Sequence, residues 1–385
     1  MTGTLVASTI NAGASAALLL QSNSATALTL DTSQNVTAAG TVAMASSFKR
    51  NRIINGNMVI SQYNGTSSVT PTASTYNMDR WTAQMTQASK FSVQQVAVSA
   101  LPGFTYSQNF TVVTPYTVGA GDYFGTEQRI EGYNIADLAW GTANAKSVTL
   151  SFWVYANNTG TYCGSLYTST GSYVYNYTVS AANTWQYVTV TIPGSTAYAL
   201  GSTTNSTGMN VRWTFAAGSN FQTTANSWVA GNYAVTSGAF NWIGTTSATL
   251  YITGVQLEVG TIATPYERQI YSDQLAQCQR YFQTSYFGSP VGTATTTNSV
   301  FYTVWANTNY SYLYVNLLVS MRTTPTNVSY STNNGASGVQ YNLSLGNQAT
   351  TFAQITNYGF TNQITNLAAT AGQNYYFHWT ASAEL

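Results

Sequence analysis

Charged side chains are scarce. The 385 residues carry 11 Lys and Arg against 10 Asp and Glu, 5% in all, where soluble proteins average about a quarter. Phosphate backbones and anionic membrane surfaces require clustered cations. The one basic cluster, Lys49-Arg50-Asn51-Arg52, is too short for either and reads as an anchor at a domain junction. Nucleic acid and membrane insertion are therefore not expected. A net charge of +1 favours self-association, which suits an obligate oligomer. Histidine occurs once, at His378. Alone it makes no nucleophilic triad, and no Cys/His cluster has zinc-ligand spacing. Because His378 alternates with Phe377 and Trp379, it is expected on the polar side of a strand, at the surface or an interface. Cys163 and Cys278, the two cysteines, fall in different predicted elements and are expected as buried thiols rather than a disulfide framework. No run approaches a membrane span. Ala16–Leu20 is too short for a signal core and no basic leader precedes it, so assembly in a cytosol and release by lysis is the expected route outside a cell. No Gly-x-Gly-x-x-Gly or P-loop motif opens a helix, and no cofactor is expected. Scattered acids such as Asp79 and Asp122 leave a structural calcium unassigned.

Aromatic residues take the place of charge: nine Trp and 29 Tyr, which excludes disorder. Residues 1–48 form a low-complexity leader in which Leu28 with Leu30, Val36 with Ala38, and Val42 with Met44 make thin alternating pieces. They are expected as a fibrous β attachment or shaft segment, with a tail that orders on a partner as the alternative. From 49 to 268 the pattern is all-β. Val148, Leu150, Phe152 and Val154 alternate with Thr149, Ser151, Trp153 and Tyr155, placing the aliphatic set on one face. Leu250 and Ile252 share one parity and Val255, Leu257 and Val259 the other, so a bulge is expected at Gly254. Further strands are predicted at Met58–Gln62, Asp79–Met85, Phe91–Val98, Phe110–Val113, Tyr173–Val179, Gln186–Ile192 and Val211–Phe215. Short strands between Gly/Asn/Ser turns predict a jelly-roll β-sandwich. Residues 269–283 hold a linking helix, Ser272–Phe282, capped by Ser272, with a stripe of Tyr271, Leu275, Cys278 and Phe282. Residues 284–385 read as a small C-terminal β-sandwich, with long strands over Leu313–Met321 and Tyr375–Trp379.

Several stretches make the chain recognisable. Glu127–Ala156, Gly254–Gly260 followed by Ala263–Arg268, Asn51–Met58, and Tyr376–Leu385 resemble tail-fibre proteins of tailed bacteriophages whose central domain is of carbohydrate-binding-module type. The resemblance implies a virion adhesin, usually a homotrimer. Its N-terminal segment would join other phage tail or baseplate proteins, and its C-terminal domain would be the distal tip. No family motif fixes the receptor contacts.

Recognition is the expected chemistry. Tyr, Ser, Gly and Asn make adaptable contact surfaces, and a neutral host cell-surface glycan offers faces for aromatic stacking and hydroxyls for hydrogen bonds. Two stretches are candidates. Gly218–Trp242 carries Phe221, Trp228, Tyr233, Phe240 and Trp242, of which Trp228 and Trp242 are the more structural. In the last domain Trp305, Tyr310, Tyr312 and Tyr330 surround a turn. For each ring the alternative is core packing or a trimer interface. Catalysis is not expected: glycan cleavage needs two suitably spaced carboxylates, and Glu127 and Glu131 flank Arg129, which would ion-pair with both. A purely structural fibre or head-decoration protein, and a polysaccharide-depolymerising tailspike, are the competing classes.

Overall fold

The computed structural model describes residues 18–22, 25–30, 36–38, 49–98, 100–286, 289–296, 299–303, 308–369 and 372–385. The chain divides into Met1–Phe48 and Lys49–Leu385. In the first unit, β1 (Leu18–Ser22), β2 (Ala25–Leu30) and β3 (Val36–Ala38) form an antiparallel meander. Leu28 pairs with Ala38 and Leu30 with Val36. The Val42 and Met44 pair lies outside the described residues.

The second unit opens with a β-sandwich. In chain order its strands are β4 (Thr75–Met78), β5 (Trp81–Met85), β6 (Phe91–Ala97), β7 (Tyr106–Val112), β8 (Tyr123–Glu131), β9 (Val148–Ala156), β10 (Gly160–Tyr167), β11 (Gly171–Val179), β12 (Gln186–Ile192), β13 (Thr207–Ala217), β14 (Trp228–Ala230) and β15 (Thr249–Val259). One sheet runs β14-β11-β10-β13-β8-β5-β4, the other β12-β9-β15-β7-β6. Every pairing within them is antiparallel. The chain repeatedly crosses between the sheets, so each hydrophobic parity meets its counterpart across the core. Trp213 lies 5.5 Å from Trp81 and 5.4 Å, edge-on, from Phe152, and all three are fully buried. At Gly254 the β15 register shifts against β9 between Thr253 and Gln256, with Gly254 at φ +63°. The parity change in the sequence is this bulge.

Then follow α1 (Tyr271–Gln279), β16 (Phe282–Thr284), β17 (Val300–Thr303), β18 (Thr308–Asn316), β19 (Thr326–Ser331), β20 (Val339–Asn342), β21 (Gly346–Ala349), β22 (Thr351–Thr356), β23 (Gly359–Ala369) and β24 (Asn374–Ser382). β24 pairs with β16, β17, β19 and β20, while β18, β23 and β22 form a separate sheet. Val315, Met321, Phe360, Phe377, Trp379, Ala381 and Ala383 make a second, smaller core.

Several expectations fail for identifiable reasons. Met58–Gln62 is not a strand: its chain is held as a loop by side chains, with Asn55 bonded to Ile60 and Gln62 to Asp79. Ser272 does not cap α1. The N-cap is Ile270, with no side-chain cap bond, and the buried positions are Gln274, Cys278 and Gln279, while Tyr271 is exposed. The helix therefore presents a partly polar face to the protein, with the Gln274 amide donating to the Gln269 carbonyl. The strand expected over Leu313–Met321 ends at Asn316, because Leu317 and Met321 turn to bond Tyr358 and Asn357. His378 is not at a surface. It is fully buried, with Nδ1 3.0 Å from Ser285 Oγ and Nε2 3.1 Å from the Thr295 carbonyl. Tyr286 stacks on its ring at 4.1 Å, so the polar side of β24 is roofed over, and burial holds the imidazole below its ordinary pKa. Cys163 and Cys278 are buried free thiols, as expected.

Ionic groups, the buried Arg80–Glu384 pair among them, link the small core to the sandwich. Arg80 pairs with Glu384 and lies 3.6 Å over the Tyr281 ring. Arg280 meets Glu131 at 2.6 Å, and Arg322 donates to the Ala383 and Glu384 carbonyls at 2.8 and 3.0 Å. Beside them burial lifts the Asp79 carboxyl from 3.8 to about 7, against hydrogen bonds from Gln62. A carboxyl raised on folding stabilises most below its unfolded value, and that contribution is lost as the pH climbs through 7. Glu127 and Glu131, held low, act in the opposite sense, so Asp79 is isolated by difference. The melting temperature of Asp79→Asn, relative to the parent, is expected to rise between about pH 5 and about pH 8. A flat difference would show that Asp79 is ionised throughout.

Candidate functional site

The alternation that buries one parity of β9 presents the other outward. Trp153 and Tyr155 therefore stand on the outer face of the five-stranded sheet. Register brings partners beside them: Tyr187 of β12 lies opposite Trp153, and Tyr251 of β15 opposite Tyr155. The rings lie 5.1 Å apart in the first pair and 5.2 Å in the second. Trp185, just before β12, closes on Tyr155 at 5.5 Å and on Tyr251 at 6.4 Å. Phe104 extends the row across the bulge. A side chain added at Gly254 would meet Phe104 at 2.8 Å and Trp153 at 3.0 Å, so glycine is what lets these two rings close over the strand. All six rings remain half-buried or more exposed, Tyr187 at 45%.

Between Tyr155, Trp185 and Tyr251 lies an open hollow of about 200 Å³, also lined by Ala97, Val98, Ala100 and Ser107. Ser107 is fully buried, and its Oγ has no hydrogen-bond partner. A buried hydroxyl left unpaired costs about 1–3 kcal/mol. Fully burying an aromatic ring would gain about 1.5–3 kcal/mol. A fold that leaves six rings on one face forgoes stability there, and such patches mark interaction surfaces. Thr189 and Thr191 continue the face in exposed hydroxyls along β12. Glu258, at the far end of β15, is buried and bonded by Thr264.

The rings singled out in Gly218–Trp242 lie elsewhere. Trp228 packs on Trp140 at 5.1 Å and Tyr173 at 5.6 Å, and donates Nε1–H to the Pro193 carbonyl at 2.8 Å. Trp242 is fully buried against Phe215 at 4.9 Å, and Phe240 packs on Tyr162 at 5.3 Å. Tyr233 lies half-buried under Gly231. Phe221 stands 5.5 Å from Tyr123 at the rim of a recess on the other sheet. Tyr330 is half-buried, edge-on to Tyr286 at 5.7 Å. Tyr310 and Tyr312 sit on β18, opposite Thr365 and Gln363. Trp305 and the side chains of Tyr310 and Tyr312 lie outside the described residues. The outer face of β9 was visible in the sequence: Trp153 and Tyr155 occupy the parity that an exposed strand face normally fills with small polar residues.

The recess beside Phe221 holds Glu127, which accepts hydrogen bonds from Arg129 at 2.8 Å and from Gln84, Asn210 and Arg212 at 3.0 Å. Burial alone would raise this carboxyl, but Arg212 and Arg129 outweigh it and hold it below the usual range. Contrary to the expectation from their spacing, Arg129 pairs with Glu127 and not with Glu131. Glu131 is taken by Arg280 and by the Tyr281 hydroxyl at 2.6 Å, because α1 delivers a nearer guanidinium. Against its burial, those bonds keep Glu131 low as well. A general acid needs the opposite shift. Among the described residues no group of three or more His, Cys, Asp or Glu could hold a metal ion. Asp122 is occupied by Thr86, Gln87 and Tyr116.

No protein-family model matches the chain, and no curated protein matches it. Distant similarities to solved structures exist. One is the enzymatically active domain of tailspike protein 4 of bacteriophage CBA120 (11% identity, TM-score 0.31, 58% of this chain and 24% of that one). Another is a sugar-binding protein, so described, from Bacteroides thetaiotaomicron (10%, TM-score 0.31, 55% and 100%). A third is the N-terminal tandem domain of family 22 carbohydrate-binding modules of Paenibacillus barcinonensis Xyn10C (11%, TM-score 0.26, 84% and 92%). The chain thus spans about a quarter of the tailspike domain's length.

Proposed function

We propose that this chain is a non-catalytic, glycan-binding protein of a phage tail fibre, acting outside the host cell as a homotrimer that attaches the virion to a surface polysaccharide. The observation that carries the binding role is the aromatic face of β9, β12 and β15. Sugar rings offer axial C–H faces to such rings and hydroxyls to the exposed Thr189 and Thr191 beside them, and aromatic rings give contact area at small entropic cost. Single-stranded nucleic acid also stacks on aromatics, but its sites add a cationic groove along the backbone, which this face lacks. The virion role rests on the resemblance of Glu127–Ala156, Gly254–Arg268 and Tyr376–Leu385 to tail fibres. The N-terminal segment would join tail or baseplate proteins, and weak contacts repeated over three chains would gain by avidity.

The test is binding of the full chain to a panel of envelope polysaccharides, with mass measured on the same samples. Saturable binding that soluble glycan competes away is expected, weakened about tenfold or more in Trp185→Ala, since exposed Trp anchors carry about 2 kcal/mol or more. Unchanged binding by Trp185→Ala, or none by the parent across the panel, would refute the reading. A loss of trimer mass in the variant would instead make this face a contact between copies, as in a purely structural fibre.

A further inference from the structure

The aromatic row has a charged end. Phe104, beside Trp153 at the bulge, is covered on its far side by the Arg268 guanidinium, 5.0 Å from the ring centroid, with Tyr266 edge-on to the same ring at 5.3 Å. Arg268 also lies over Gly103, where an added side chain would meet its Nη2 at 2.5 Å. The cation is thus seated by two aromatic rings and a glycine of φ +88°. Among the described residues it forms no salt bridge and no hydrogen bond, in contrast to Arg50, Arg52, Arg80, Arg129, Arg212 and Arg280, all of which are paired. It is exposed. Glu267, its neighbour, is turned away to accept from the Asn51 backbone N–H at 2.8 Å.

We propose that this face selects an acidic glycan, and that Arg268 is the specificity-determining residue, receiving a sugar carboxylate. The proposal rests on the glycan-binding reading and names its substrate class. A sugar stacked on Trp153 and Phe104 leaves the next residue of the chain over Arg268, and a guanidinium offers a planar fork that matches a carboxylate with two parallel N–H···O bonds. Contact with Phe104 and Tyr266 restricts where the guanidinium can go, so less ordering is needed on binding. The rest of the face is uncharged, so a single acid per contact stretch satisfies it. A densely charged polymer finds no second cation.

The experiment uses the full chain and a panel of uronate- and sialate-containing oligosaccharides, each paired with its carboxyl methyl ester. The parent, Arg268→Gln, Arg268→Lys and Trp153→Ala are compared, with a thermal melt as folding control. Acid forms are expected to bind the parent about tenfold tighter than their esters, with a preference that shrinks at high salt. Arg268→Gln should remove that preference, bringing acid and ester to equal affinity, and Arg268→Lys should restore it in part. Equal binding of acid and ester by the parent, both abolished in Trp153→Ala, would overturn the acidic specificity and leave the glycan site standing. Binding of neither form, or binding that Trp153→Ala does not affect, would overturn the site itself. Tighter binding of a single-stranded oligonucleotide than of any sugar would overturn both.

Discussion

Arg80→Ala is expected to lower the unfolding free energy by about 3–5 kcal/mol, the usual consequence of leaving one member of a buried ion pair alone. Arg80 is 1% exposed and Glu384 7%. The guanidinium is also packed over Tyr281 and donates to the Arg129 carbonyl. Removing it strands Glu384 among Tyr63, Tyr76 and Asp79, none of which can neutralise it. The pair itself is worth less than the loss suggests. Burial lifts the Glu384 carboxyl above its ordinary value even with Arg80 present, so desolvation offsets much of the attraction. The double variant Arg80→Met/Glu384→Gln should therefore recover a large part of the stability lost in Arg80→Ala. Urea denaturation of the three proteins decides this. A single variant within about 1 kcal/mol of the parent would place Arg80 among ordinary surface pairs.

The second large effect is on binding and leaves stability nearly untouched. Tyr155→Ala/Trp185→Ala removes two rings that face solvent on one side, so the sandwich core stays filled. Each ring is expected to contribute about 2 kcal/mol, and the double variant should lose about a hundredfold or more in affinity for the glycan that the parent binds. The melting temperature should move by a few degrees only, since neither ring touches Trp213 or Phe152 across the core. Calorimetric titration beside a thermal melt separates the two quantities. A large fall in melting temperature with intact affinity would make the rings structural.

These two sites differ in how far they could be read in advance. The sandwich was legible because period-two alternation survives wherever one face is buried, as in Val148–Val154 and Val188–Ile192. The Gly254 bulge was legible for the same reason, as a change of parity. The aromatic face was half legible: Trp153 and Tyr155 shared a strand face, but that Tyr187, Tyr251 and Trp185 would meet them is a matter of which strands pair, and pairing is a long-range choice. Aromatic density is high along Gly218–Trp242, but Trp242 belongs to the core and Trp228 packs on Trp140 and Tyr173. The ion pairs linking Arg80 to Glu384 and Arg280 to Glu131 were illegible, because a charge in a nearly uncharged chain gives no local clue to a partner 304 or 149 positions away. His378 was misjudged because alternation tells which side of a strand a residue faces, not what covers that side.

The pairing of β9 with β15 has a kinetic consequence. Val148 lies opposite Val259 and Tyr155 opposite Tyr251, contacts that close a loop of roughly a hundred residues before they return any free energy. Folding of the sandwich should therefore be slow, with β9 and β12 able to zip early as near neighbours while β15 arrives last. Tyr251 and Phe104 join Trp153, Tyr155 and Tyr187 only at that closing step. Recovery of ligand affinity during refolding should lag behind recovery of β-sheet signal, so that the aromatic face acts as a clock for the completion of the sandwich.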